Sequence, residues 1–222
     1  MAGQKAIDKE QWAERAKARA QIYHMLAGFF GHVPDGGLID GIKSSCFQGL
    51  LESCIGSRGI FFNMEPGEEK EILEKISVDR TRIVRVPGNM ALKPPYEGLY
   101  KRDESFGIVV LNVKRIYRDA GLMPESTVHE SPDFLGIELD FMRKMCLREQ
   151  AQWCIGETPL DTIGIQEKFL KEHLNSWVKD YCRQAEKQAS TNLCRSFISF
   201  LDRVIASDMK YVQKLGRLFA RD

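Results

Sequence analysis

Apolar residues recur at three- and four-residue intervals along most of this chain, the spacing of amphipathic helices. Over residues 8–31, Trp12, Ala16, Tyr23, Leu26 and Phe30 mark one face, and Asp8 with Gln11 resembles a capping box. Pro34 and Gly36-Gly37 break that run. A second helix is expected over 37–55, carrying Leu38, Ile42, Leu50, Leu51 and Cys54, with Gly56 and Gly59 ending it. A third is expected from Pro66, where Glu65, Glu68, Glu69 and Glu71 suit the positive end of the helix dipole. Further helices are expected over 104–120, capped by Asp103 and stopped by Gly121, then over 165–188 and 190–206, with a short one from Asp208.

The central stretch runs from Glu130 to about Ile155. Ser131 suits an N-cap, Pro132 the first helical position and Asp133 the first turn. Leu135, Leu139, Met142 and Cys146 form one apolar stripe; Phe134, Ile137, Phe141 and Met145 form a second. A helix apolar on two sides belongs at the centre of a helical domain. Glu138 and Asp133 interrupt the pattern, as a solvated third face or as a site.

Periodicity stops between residues 84 and 100. Pro94-Pro95-Tyr96-Glu97-Gly98-Leu99-Tyr100 ends a long irregular connection whose two prolines stiffen the backbone and present Tyr96 and Glu97 in a fixed direction. The expected architecture is all-α and a single domain over 1–222. A small N-terminal helical part (1–83) joins a helical bundle (101–222) through the proline-rich loop, 84–100, a plausible hinge.

Composition narrows the function. The 222 residues are 43% hydrophobic and 28% charged, with a net charge of only +1, so no global field argues for nucleic acid or a membrane surface. The six cysteines include no C-x-x-C pair. No signal peptide and no run of about eighteen apolar residues is found, which fits a cytoplasmic protein with reduced thiols and no membrane insertion. H-E-x-x-H, G-x-S-x-G and the Walker loop are absent, as is any Glu-x-x-His pair for a di-metal bundle.

Charge placement says more. Between Met123 and Met142 stand Glu125, Glu130, Asp133, Glu138 and Asp140, with neither lysine nor arginine. Acids beside aromatics suit a basic, partly apolar peptide and repel phosphates. Two other readings remain open. One is a metal-dependent hydrolase using Glu130, Asp133 and Glu138. The other is a nucleic-acid-binding regulator working through the basic C-terminus, Arg203, Lys210, Lys214, Arg217 and Arg221.

Two motifs carry a family resemblance. Glu130-Ser131-Pro132-Asp133-Phe134-Leu135-Gly136-Ile137-Glu138-Leu139 is similar to E-x-P-D-H-L-x-x-E-L. Asp79, Arg82 and Pro94–Tyr100 are similar to D-x-x-R followed by P-P-Y-E-S-x-Y. Phe169-Leu170-Lys171-Glu172-His173-Leu174-Asn175-Ser176-Trp177 is a third, weaker match. Together they span roughly residues 20–206 and resemble the TorD-like redox-enzyme maturation chaperones. The resemblance implies a non-catalytic, cofactor-free cytoplasmic chaperone. Its partners would be the twin-arginine signal peptide and catalytic subunit of a molybdopterin enzyme, held for cofactor insertion before export. Some family members swap domains into homodimers. The peptide-binding residues it implies are Glu130, Pro132, Asp133, Phe134, Glu138, Pro94, Pro95, Tyr96, Glu97 and Tyr100. Phe134 stands where the family has histidine, and Gly98 where it has serine.

Overall fold

The computed structural model describes residues 2–45, 49, 67–85, 92–125 and 129–219, with the backbone alone for 2–8. The described residues form helices in the order α1 (Ala2–Gly31), α2 (Gly36–Lys43), α3 (Glu69–Val84), α4 (Glu97–Tyr100), α5 (Phe106–Asp119), α6 (Leu135–Cys154), α7 (Leu160–Phe169), α8 (Asn175–Gln188) and α9 (Asn192–Phe219). A π-helical turn, Leu170–Leu174, links α7 to α8 without a break. Among the described residues the only β pairing is an isolated antiparallel bridge between Tyr96 and Phe134.

The two apolar stripes of α6 put it in the centre. Leu135, Leu139, Met142, Met145 and Cys146 are wholly buried and Phe141 nearly so. α1 lies along α6, and α7, α8 and α9 pack around them. One core runs through all of these helices. Within it Phe29 of α1 stacks flat on Phe197 of α9, with centroids 3.9 Å apart. Each large side chain buried this way contributes about 1.5–3 kcal/mol.

Several boundaries differ from the sequence expectation. The backbone of α1 is already helical before residue 8, so Asp8 lies inside the helix and not at its start. Asp35 caps α2, accepting from the Leu38 N–H at 3.1 Å. Most of the expected 37–55 helix beyond Ser45 lies outside the described residues, as do Gly56, Gly59, Glu65 and Pro66. α5 starts at Phe106, past Asp103. The helix expected from 165 starts at Leu160 and runs through Gly164. The expected helices 190–206 and 208 onward are one helix, α9. Asp208 resembles a helix start in sequence, but its carboxylate accepts instead from Arg19 Nε at 2.6 Å and the Tyr23 hydroxyl at 2.7 Å. That Arg19 also donates to Glu149 at 2.6 Å, tying α1, α6 and α9 through a buried ion cluster.

α6 itself starts at Leu135, not at Pro132. Residues 133–135 are committed elsewhere. The Glu97 N–H donates to the Asp133 carbonyl at 2.9 Å, and the Leu135 N–H to the Pro95 carbonyl at 3.0 Å. This pairing holds Phe134 extended (φ −74°, ψ 132°) and postpones the helix.

Candidate functional site

The proline loop and the head of α6 are clamped together by that backbone pairing, and their acidic side chains sort into two layers. The inner layer is buried. Asp133, expected near the surface in the first turn of the central helix, is instead fully buried and precedes that helix. Its Oδ2 accepts from the Gly98 N–H at 3.1 Å and its Oδ1 from the Ser131 hydroxyl. The carboxylate thereby satisfies an N–H in the first turn of α4, the role of a helix cap supplied from another segment.

Glu97 and Glu138 are equally buried. His173 Nδ1 lies 2.8 Å from Glu97 Oε2, and Lys101 Nζ 2.8 Å from Glu97 Oε1. Burial works to raise the Glu97 carboxyl, but His173 and Lys101 outweigh it and hold it below the usual glutamate range. Glu138 goes the other way. Burial first, and the neighbouring Glu97 charge second, push it well above that range. Trp177 Nε1 donates to Glu138 Oε2 at 3.2 Å, and the neutral carboxyl can donate in turn to the neighbouring Glu97 carboxylate. The two neighbouring carboxyls thus divide the roles, one favouring the ionised and one the neutral form.

His173 sits in the π-helical turn, a distortion that often marks a functional position. Tyr100 closes the layer. Its ring lies 5.3 Å from that of Trp177, and its hydroxyl donates to the Lys93 carbonyl at 2.5 Å. The central-helix motif, the proline loop and Phe169–Trp177 therefore meet here, while Asp79 and Arg82 lie against the start of α9. His173 reads in sequence as an ordinary core histidine, and Trp177 as helix core; the shared motif Phe169–Trp177 was the signal that both belong to the site.

The outer layer reaches solvent. Pro94 and Pro132 are half-buried and Pro95 is buried. The Tyr96 hydroxyl donates to Glu130 Oε2 at 2.6 Å. The Tyr96 ring lies 5.3 Å from that of Phe134, whose own ring is buried beneath. Arg85, the residue after α3, pairs with Glu130 Oε1 and places its guanidinium 5.1 Å from the Phe134 centroid. Burial works to raise the Glu130 carboxyl, and the bonds from Tyr96 and Arg85 overcome it, so Glu130 is held ionised. Burial, then the Glu130 bond, pushes the Tyr96 phenol up to about 12.

Beside this layer opens a groove of about 510 Å³, with Glu125, Glu130 and Asp140 among its acids and Leu122, Phe134 and Ile137 on its apolar wall. A second groove of about 490 Å³ shares its wall of His24, Gly28 and His32.

The serine-to-glycine departure has a structural cause. A Cβ on Gly98 would stand 2.5 Å from Cδ2 of Phe106, so that ring fills the place of a side chain at 98. Asp79 of the D-x-x-R element accepts from the Ser190 N–H at 3.0 Å and the Thr191 N–H at 2.8 Å, anchoring the start of α9.

Among the described residues no group of three or more His, Cys, Asp or Glu is placed to hold a metal ion. The Asp133 carboxylate caps α4 and that of Glu138 meets Trp177, so the acids invoked for a hydrolase serve separate partners. Arg203, Lys210, Lys214 and Arg217 lie on the exposed side of the amphipathic α9, as on a solvated helix; Arg221 is outside the described residues. No described helix is long and apolar enough to cross a membrane.

The comparisons agree with the motifs. The family model described as nitrate reductase delta subunit matches residues 61–183, more than half of the chain. The perchlorate reductase assembly chaperone protein of Dechloromonas aromatica (strain RCB) is 21% identical over 203 residues, covering 89% of this chain and 91% of that protein. The chlorate reductase assembly chaperone protein of Ideonella dechloratans is 22% identical over 178 residues, covering 80% and 82%. Both relatives are named for assembly, not for catalysis. With three motif segments converging on one site and its matched span crossing that site, the chain belongs to the nitrate reductase delta subunit family of TorD-like maturation chaperones.

Proposed function

We propose that this protein is a cytoplasmic chaperone for the catalytic subunit of a molybdopterin-dependent reductase. It binds the subunit's twin-arginine signal segment and holds the apo-subunit for cofactor insertion before export. The observation that carries the reading is Glu130, an ionised carboxylate 28% exposed, flanked by Tyr96 and Phe134 at the mouth of an apolar groove. A guanidinium would meet the carboxylate and the aromatic face together, and the apolar run after the arginine pair would lie in the groove. The names of the two relatives support a reductase as client.

The inner layer positions this surface. Asp133 and Glu97 fix α4, and with it Tyr96; Glu138 and Trp177 fix the head of α6. The arginine contact therefore belongs to Glu130, with Asp133 acting through the backbone it holds.

Calorimetry with a synthetic leader, an arginine pair followed by an apolar run, tests the reading. Glu130→Gln should weaken binding several-fold, up to about one decade, because the pair it removes is partly exposed and screened. Changing both leader arginines to glutamine should cost the parent protein a similar factor and the variant little more. A leader that binds the parent equally well without its arginines would refute arginine recognition at Glu130.

A further inference from the structure

The carboxylate assigned to the client already holds an arginine, the chain's own. The geometry points to Arg85 as an internal occupant of a guanidinium subsite formed by Glu130, Tyr96 and Phe134, which an arginine of the client displaces. This rests on the function proposed above and adds a regulatory contact to it.

Arg85 has the features of an exchangeable ligand. Its guanidinium pairs with Glu130 across 45 residues of chain and lies over the Phe134 ring, making both contacts a client arginine needs. Both partners are open to solvent, Arg85 at 36% and Glu130 at 28%. A pair so exposed is held weakly and is screened by salt. The backbone of Arg85 is anchored separately, its N–H donating to the Thr81 carbonyl at 2.8 Å, so its side chain can leave while α3 stays whole. The buried Arg19 and Arg80 lack this freedom. Arg19 is 4% exposed and bound to Glu149 and Asp208. Arg80, 2% exposed, donates its Nε to the Phe29 carbonyl at 3.0 Å. Exchanging one guanidinium for another keeps the Glu130 charge satisfied throughout. The gain comes from the client's second arginine and its apolar run.

Self-occupancy lowers apparent affinity in proportion to the fraction of molecules whose subsite is free. Arg85→Gln should therefore bind the arginine-pair leader about three- to tenfold more tightly than the parent. Ethylguanidinium at millimolar concentration provides a probe independent of the leader. It should raise the melting temperature of Arg85→Gln and leave the parent and the Arg85→Gln/Glu130→Gln protein unmoved. Arg85→Met, which keeps an unbranched apolar stem and removes the guanidinium, gives the same readouts if the glutamine variant folds poorly.

A leader that binds the parent but no more tightly to Arg85→Gln overturns self-occupancy and leaves the proposed function standing. Ethylguanidinium that stabilises none of the proteins, or all alike, overturns the subsite. A leader that binds no protein, with ethylguanidinium stabilising Arg85→Gln alone, keeps the subsite and removes the leader as its client.

Discussion

His173 Nδ1 lies 2.8 Å from Glu97 Oε2, joining the π-helical turn to the proline loop across 76 residues. Both side chains are buried, and Glu97 is otherwise met by Lys101 and by the neighbouring Glu138 carboxyl. His173→Ala should therefore lower stability by about 2–4 kcal/mol, the cost of leaving a buried charge short of a partner. Urea denaturation checks this. A loss below about 0.5 kcal/mol, ordinary for a surface change, would show that Glu97 is satisfied without His173.

The raised Glu138 carboxyl gives stability a pH dependence of known sign. An unfolded glutamate titrates near pH 4.3, while burial and the Glu97 charge keep the folded group protonated well above that. Between the two values the folded state binds more protons, so stability falls as pH rises. Glu138→Gln keeps the shape, can still accept from Trp177 and has no such slope. The variant should gain on the parent steadily from about pH 4 toward neutrality. Denaturation midpoints between pH 4 and 8 read this, and a gap that does not change with pH would contradict it.

The helical architecture was legible because period and burial largely agree: α6 buries its first apolar stripe whole and Phe141 and Met145 of its second, with Ile137 half-buried. The boundaries were less legible where a side chain serves a distant partner. Ser131, Pro132 and Asp133 have the chemistry of a helix start, yet Asp133 caps α4 and the backbone pairs with the loop. Asp208 likewise resembles a cap and instead receives Arg19 and Tyr23. The acids of the site could be named from the sequence, but not sorted. Only the fold separates Glu130 at the surface from the buried Asp133, Glu97 and Glu138. Arg85 bears no local mark at all, since its role comes from where α3 ends.

Arg19 holds two buried carboxylates at once, Glu149 and Asp208, each at 2.6 Å. Arg19→Met keeps much of the volume and leaves both acids without their cation. A loss of about 3–5 kcal/mol is expected, the range for a buried pair deprived of one partner. Thermal denaturation at neutral pH measures it. Adding Glu149→Gln and Asp208→Asn should restore a good part of the loss, because the stranded charges are then gone.

Phe106 and residue 98 compete for one space. Gly98→Ser would bring a Cβ to 2.5 Å from the Phe106 ring, which must swing aside. Phe106 is 44% exposed, so it has somewhere to go, and the cost should be modest, about 1 kcal/mol. In Phe106→Ala the same serine should cost almost nothing. A double-mutant cycle in urea gives the coupling; purely additive effects would show that the ring does not set the glycine.

The approach of α1 to α6 at Gly31 and Gly136 is one-sided, and this predicts opposite outcomes for two glycines. A Cβ on Gly136 would meet Phe134 Cε1 at 2.9 Å and the Gly31 Cα and N at 3.2 Å. The last two are backbone atoms at the end of α1, so relief requires the helices to part or the Phe134 ring to move. Gly136→Ala should cost about 1–3 kcal/mol, as overpacking does. A Cβ on Gly31 meets nothing within 4 Å. Gly31→Ala should be neutral or stabilising by up to about 1 kcal/mol, because alanine is the better helix former. The Phe134 ring is also the surface under Arg85, so Gly136→Ala should loosen the Arg85–Glu130 contact, which Gly31→Ala leaves intact. Parallel melts of the two variants test the packing, and the salt dependence of each melting temperature tests the contact. Equal destabilisation by both substitutions would mean that the two helix ends meet through their general fit rather than through the missing side chain of Gly136.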